Sequence, residues 1–301
     1  MNNTINYNEY PVKEVLDELL KDRTTEQNII FATNIYKEID SSINEKTQIT
    51  KAYIDKISLQ PRFSKTLKEK SERTRNKAEV FSPSWICNRM INYYDQEWFG
   101  RKNVFNTEKE QEWIISSNPI TFKKSNNWQK YVNSKRLEIS CGEAPFIVSR
   151  YDAVSGDMIP IKKRIGILDR KLRIVNENAT DESEWLEWVY KAYKSVYGYE
   201  LQGDNLLIAR INLLITFVDY MQDRWERDPN NSELKTITKR IVWNFWQMDG
   251  LTGLIPFEKP REENHQLDLF GMYEANTAQN NVKCKIFNWT SNKEEYFNES
   301  R

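Results

Sequence analysis

Apolar positions along the chain change period several times, and the changes divide it into elements. Val12, Val15, Leu16, Leu19 and Leu20 recur at helical spacing, and Ile29, Ile30, Phe31, Ile35 and Tyr36 continue the apolar positions. Residues 1–75 therefore predict an amphipathic helical arm. Ser82-Pro83 is a helix start, with Ser82 as the cap and Pro83 in the first turn, ahead of the periodic Ile86, Met90 and Ile91. Residues 95–134 carry Trp98, Phe99, Trp113 and Trp128 among polar neighbours and read as an insertion packed by its own aromatics. Leu137 to Val148 then reads as strand, tight turn at Cys141-Gly142, and helix start at Pro145. After a run with Ile165, Ile167, Leu168, Leu172 and Ile174 comes a helix over 184–195, bearing Trp185, Trp188, Val189 and Ala192. It feeds a short strand, Val196 to Leu201, and a further helix with Leu206, Ala209, Leu213 and Phe217 on one face. Arg240 to Asp249 is a third strand-like run, followed by Gly250-Leu251.

Strands alternating with helices predict an α/β fold with a parallel sheet, and such sheets bind ligands at the carboxyl ends of their strands. Glu138, Glu200 and Asp249 each fall at such an end. A carboxylate there accepts hydrogen bonds from the hydroxyls of a nucleoside ribose, or it is plain edge and cap chemistry. Glu138 and Glu200 lie 62 residues apart, whereas a minimal unit separates the glycine turn from its acid by about 20, so an insertion must intervene. Asp249 has two readings as well: acceptor for the exocyclic amine of a bound base, or cap of the turn it begins.

Composition narrows the chemistry. Lys+Arg and Asp+Glu are equal at 44 each, so no global basic field marks a nucleic-acid binder, and DNA contact must be local or shared with a partner. The cluster Lys65, Lys68, Lys70, Arg73, Arg75 and Lys77 is interspersed with Glu69 and Glu72, which makes it a solvated helix face before it is a phosphate contact. His265 is the only histidine, which removes His-based triads and multi-His metal sites from this chain. Cys87, Cys141 and Cys284 form no CxxC unit and suit a reducing cytoplasm. No run approaches the ~20 apolar residues of a membrane span, and the polar N-terminus has no signal core. Ten Trp and an aromatic content of 13% fit a Trp-rich core together with an interface.

In order along the chain, four elements resemble the DNA adenine-N6 methyltransferases, in the arrangement of type I modification subunits and fused type IIG restriction-modification enzymes. Lys77-Ala78-Glu79-Val80-Phe81-Ser82-Pro83 is similar to the family's Phe-Thr-Pro element. Leu137-Glu138 through Phe146 is similar to its Asp-Pro-Ala-Cys-Gly-Ser-Gly-x-Phe loop. Tyr197-Gly198-Tyr199-Glu200-Leu201 resembles the ribose-binding segment, and Gln247-Met248-Asp249-Gly250-Leu251 the segment that meets the cofactor's adenine. The resemblance covers about residues 75–257. It implies a Rossmann-like S-adenosylmethionine-dependent methyltransferase domain over 76–257, preceded by the helical N-terminal arm and followed by an extension, 258–301, that contacts a partner. It implies cofactor contacts from Phe81, Ser82, Pro83, Glu138, Ser140, Cys141, Gly142, Phe146, Glu200, Leu201, Asp249, Gly250 and Leu251.

The chain departs from the family pattern in three places. Glu138 replaces the usual aspartate, Ala144 stands where the family has its second glycine with Pro145 directly after it, and the catalytic Asn-Pro-Pro-Tyr motif is absent. Asn118-Pro119-Ile120 lies before the loop and reads as a turn. The expectation is a split DNA adenine methyltransferase of a restriction-modification or phage-defence system, cytoplasmic and heteromeric. This chain would hold S-adenosylmethionine; a partner would supply the Asn-Pro-Pro-Tyr strand, target recognition and most of the DNA contact. The chain would then be inactive alone and carry no catalytic residue or metal of its own. The alternative is an inactive methyltransferase-like scaffold, or a DNA- or clamp-binding subunit. Gln266-Leu267-Asp268-Leu269-Phe270 supports the last of these, being similar to the short peptides that dock on the polymerase sliding clamp.

Overall fold

The computed structural model describes residues 5–66, 70–71, 74–75, 80, 82–123, 127–258 and 283–297. Its first segment holds two short α-helices, α1 (Val12–Leu19) and α2 (Lys51–Ile57), joined by loops and 3-10 turns. A helical arm was expected there, but most of the segment is loop, and its apolar residues are not an arm's outer stripe. Leu19, Ile29 and Phe31 are fully buried in the same core as the later helices. Arg210 shows how tightly they are held: its buried guanidinium donates to the carbonyls of Leu19 (2.6 Å) and Lys21 (2.9 Å) on one side and Phe245 (2.6 Å) on the other. With carbonyls as its partners and burial opposing its charge, its pKa is pushed down to about 9.

The helix α3 (Ser84–Phe99) starts one residue later than Ser82-Pro83 predicts. Pro83 is the cap position, Ser82 makes no cap bond, and the Ser84 N–H donates instead to Asp152 at 2.7 Å. A hairpin of β1 (Asn106–Lys109) and β2 (Glu112–Ile115) and a short helix, α4 (Asn127–Asn133), complete the insertion. Trp98, Phe99, Phe105, Phe122 and Tyr131 pack there ring on ring, but the other two expected aromatics pack outside the insertion: Trp128 lies against Trp188, and Trp113 packs by Ile165 and donates to the Lys163 carbonyl. Asn118 sits in the bend the sequence predicts, with its carbonyl taken by Arg173.

The next elements build the sheet. β3 (Arg136–Ile139) is followed by α5 (Ile167–Asn178) and α6 (Glu182–Lys194), then β4 (Val196–Glu200), then α7 (Gly203–Trp225) and α8 (Asn231–Asn244), then β5 (Phe245–Gln247). The three strands are parallel, in the order β3-β4-β5, with Glu138 opposite Gly198 and Gly198 opposite Phe245. Two paired helices in each crossover provide the length a parallel connection needs. Val196 and Phe245 point into the main core with Trp185, Leu206, Leu213 and Phe217, where each fully buried apolar side chain contributes roughly 1.5–3 kcal/mol. On the other face Tyr199, Trp246 and Met248 pack with Cys284 and Phe297 of a C-terminal hairpin, β6 (Lys285–Asn288) and β7 (Lys293–Tyr296). The protein is thus a mixed helix–strand molecule around a parallel sheet. No helix among the described residues is long and apolar enough to cross a membrane.

Two sequence expectations fail here for identifiable reasons. Arg240 to Asn244 are the last turn of α8, not strand, and only Phe245–Gln247 pair with β4. Pro145 to Val148 do not begin a helix. They make one turn on the Ala144 carbonyl, and the carbonyls of Phe146 and Ile147 then accept the first amides of α5, Ile167 and Leu168, both at 2.8 Å. Carbonyls committed to another helix's N-terminus cannot propagate one of their own.

Candidate functional site

The carboxyl ends of β3, β4 and β5 open into a cleft of about 480 Å³. It is lined by Ser82, Glu138, Ser140, Cys141, Gly142, Phe146, Glu200, Leu201, Asp249, Gly250 and Leu251, which are the expected cofactor residues other than Phe81 and Pro83. Phe81 lies outside the described residues, and Pro83 is half-buried at the start of α3 beside Ser82. Segments from four places in the sequence therefore converge on one space, as parallel strands ending at one edge dictate.

The turn after β3 is built from alternating left-handed residues, Ser140 (φ 52°), Gly142 (φ 55°) and Ala144 (φ 64°). Only one of the three is glycine, so the loop holds a backbone that L-residues resist by about 1–2 kcal/mol each. The bond that pins it comes from β4. Glu200 is buried and accepts from the Gly142 N–H at 2.9 Å through one oxygen and from the Gln202 N–H at 3.0 Å through the other. The carboxylate thus fixes the loop against the strand end. Gly198, two residues back, lets the turn approach the sheet: a Cβ there would stand 2.7 Å from the Phe245 ring and 3.1 Å from the Cys141 sulfur.

Glu138 is the second-last residue of β3, with its carboxyl turned to the same side as Glu200. One carboxyl oxygen is buried and accepts no hydrogen bond, while the Phe146 N–H faces the group. Burial, and then the neighbouring Glu200 charge, push its pKa well above the usual carboxylate range. Burial first, and then the Glu138 and Glu200 charges, raise the Cys141 thiol, which is fully packed.

Asp249 closes the third side. Its side chain accepts from the Leu251 N–H at 2.9 Å and its carbonyl from Gly253 at 2.8 Å, so it does cap its own turn. That turn carries Gly250 against the Tyr199 ring and leaves Leu251 94% exposed at the cleft mouth. Val80 and Ile139 add exposed apolar rim.

Sequence reasoning overlooked Ile139, Tyr199, Gln202 and Asn205 as lining, although Gln202 and Asn205 follow Glu200 so closely that the first turn of α7 had to reach the same edge. It also overlooked the supporting role of the N-terminal segment. Gln247 bridges the N–H and carbonyl of Ile30 and the carbonyl of Leu201, Tyr36 donates to Asp204 at 2.7 Å, and Glu143 receives the Arg62 N–H at 2.6 Å and the Tyr151 hydroxyl at 2.7 Å. No local signal in residues 28–66 announces these long-range bonds.

Two features define what the cleft accepts. Among the described lining residues there are three carboxylates, Glu138, Glu200 and Asp249, and no lysine, arginine or histidine. The loop after β3 leads into no helix, and the helix N-terminus that reaches the cleft is that of α7, through Gln202 and Asn205, directly behind the Glu200 carboxylate. No group of histidine, cysteine or carboxylate residues suited to a metal ion occurs among the described residues. The chain matches no protein-family profile, no curated protein and no solved structure.

Proposed function

We propose that this chain is the S-adenosylmethionine-binding part of a DNA adenine-N6 methyltransferase with a Rossmann-like sheet, acting in a restriction-modification or related defence system. The observation that carries the proposal is the charge of the cleft. A nucleoside-binding edge with three acids and no lysine, arginine or histidine among its described lining is unfavourable to the phosphates of dinucleotide or nucleotide cofactors. It suits an adenosine ligand that bears a sulfonium and an ammonium instead. Glu200 and Asp249 line the cleft, and the resemblance of their segments supports reading Glu200 as the acceptor for the ribose hydroxyls and Asp249 as that for the adenine amine. The bound cofactor supplies an electrophilic methyl group; the chain's residues hold it and keep its orientation fixed.

The 301 residues contain no Asn-Pro-Pro-Tyr, and we propose that a second chain provides it. The sheet offers a place. β3 is an edge strand, and Leu137 and Ile139 on it are 47% and 66% exposed beside the cleft. A parallel sheet is ordinarily covered on both faces and an open apolar edge is a template for pairing, so the partner's strand would extend the sheet next to β3. DNA would be bound mainly by the complex.

A scaffold without activity is the second reading, favoured by Ala144 in the left-handed position of the family's glycine and by Glu200 already bonding the loop. The clamp-like Gln266–Phe270 lies outside the described residues. Co-expression with the neighbouring gene products, followed by an assay of methyl transfer from labelled cofactor to DNA, separates the readings. The proposal expects label in N6-methyladenine with both chains present and none with either alone. A stable complex that binds no cofactor and transfers no methyl group would favour the scaffold.

A further inference from the structure

The amino ends of β4 and β5, at the other end of the sheet from the cleft, gather cations around aromatic rings. Helix α6 ends at Lys194 just before β4, and α8 ends at Asn244 just before β5. Trp289, which follows β6, is fixed there: its indole N–H donates to the Asn244 side chain at 2.7 Å, and the Asn244 amide donates to the carbonyls of Tyr193 and Val196, both at 2.9 Å. Phe287 packs on the same ring at 4.6 Å. Two cations converge on it, the Lys194 ammonium at 5.1 Å and the Arg240 guanidinium at 5.8 Å, and Arg240 also lies 4.4 Å from the Tyr190 ring. Neither cation has an ion-pair partner among the described residues, and the Arg240 Nε is buried without an acceptor. The carboxylates of these helices are engaged elsewhere, Glu187 with Lys191 at 2.5 Å and Glu233 with Arg227 at 2.7 Å. From Trp188 to Lys194 and from Leu234 to Asn244 the two helices carry Lys191, Lys194, Lys235, Lys239 and Arg240 and no acid.

We propose that this face grips the phosphodiester backbone of DNA without regard to sequence, Lys194 and Arg240 being the phosphate contacts and the Trp289 ring the platform that holds both heads. Cations at the carbonyl ends of two helices are favourable in themselves, but that accounts for the residue types and supplies no anion to two heads held over one ring. Their charges repel. Burial first, and then the Arg240 and Lys191 charges, lower the Lys194 pKa, and a phosphate lying between the heads relieves that repulsion. The ring contacts also restrain two long side chains in advance, which removes part of the ordering cost of binding. Because the cations continue along both helices, a polyanion is better matched than a single phosphate. The choice of DNA as the nucleic acid rests on the methyltransferase reading, whereas the phosphate chemistry does not. The chain thereby gains a DNA contact of its own, on a face turned away from the cleft.

Fluorescence anisotropy of a labelled short DNA duplex of arbitrary sequence, titrated with the full-length chain at salt concentrations between about 50 and 200 mM, tests this. The expected result is binding whose logarithm falls linearly with the logarithm of salt, with a slope smaller by about two in Lys194→Gln with Arg240→Gln. The loss should be equal for a duplex of unrelated sequence. Lys194→Arg with Arg240→Lys keeps both charges and should keep the slope. A second measurement needs no variant: excess duplex should protect Lys194 of the wild-type chain from acetylation, read by mass spectrometry. Absence of DNA binding, an unchanged slope in the folded glutamine pair, or no protection of Lys194 overturns the inference. Competition by polyglutamate as effective, charge for charge, as that by unlabelled duplex also overturns it, making the face a dock for an acidic protein. Titration of the same preparation with S-adenosylmethionine separates the two proposals: cofactor binding without DNA binding removes only this one, and DNA binding without cofactor binding removes only the cofactor reading.

Discussion

Gly198 shows how a single atom controls the cleft. Its position on β4 is occupied from both sides, by the Phe245 ring and the Cys141 sulfur. Gly198→Ala is expected to destabilise the fold by about 1–3 kcal/mol, the usual result of overpacking, read as a lower urea midpoint at unchanged slope. Glu138 has the opposite character, being a residue whose ionised form the fold disfavours. Its folded pKa is raised, by burial first and Glu200 second, so the folded chain binds this proton more tightly than the unfolded chain does. The stabilisation is complete below the ordinary carboxylate range and is lost as pH climbs from there to the folded pKa. Glu138→Gln carries no such proton, so its melting temperature should fall less than that of wild type between about pH 5 and pH 7. Equal slopes for the two proteins would mean that Glu138 titrates normally.

At the scale of elements, β3 is both the foundation of the loop and the open edge of the sheet. Leu137 and Ile139 contribute little to the folded chain because they remain exposed, and surface changes of this kind stay within about ±0.5 kcal/mol. Leu137→Lys with Ile139→Lys should therefore leave the melting temperature almost unchanged and abolish co-purification with the partner. Retained association would place the interface elsewhere. The elements also show where the sequence was readable. The α6, β4 and α7 series was legible because α6 has a clear helical period, β4 is a short apolar run ending in Glu200, and the long apolar run of α7 follows directly behind it. The boundary between α8 and β5 was misread because Ile241-Val242-Trp243 carries strand-forming residues. Its helical spacing with Leu234, Ile237 and Thr238 was the better signal, and these residues are buried at that spacing. The displaced start of α5 had no local mark at all, since it depends on amides at 167 and 168 meeting carbonyls at 146 and 147.

For the whole molecule, most residues that line the cleft were legible and most that hold it in shape were not. Acids at strand ends and a glycine turn are local patterns. The contacts of Gln247 with Ile30, Glu143 with Arg62 and Arg210 with Leu19 join residues that the sequence keeps 81 to 217 positions apart. They tie the segment 5–66 into the same core, so the cleft's geometry depends on residues far from it in the sequence. Positive and negative side chains balance overall, yet the described lining holds three acidic residues and no lysine, arginine or histidine. That local imbalance is the central claim about ligand choice. It is tested most directly by titrating the full-length chain, under identical conditions, with S-adenosylmethionine, NAD and ATP. Saturable binding of S-adenosylmethionine, with no detectable binding of the two phosphate-bearing nucleotides, is the expected result. Binding of NAD or ATP that competes with S-adenosylmethionine, or binding of either in its place, would contradict it.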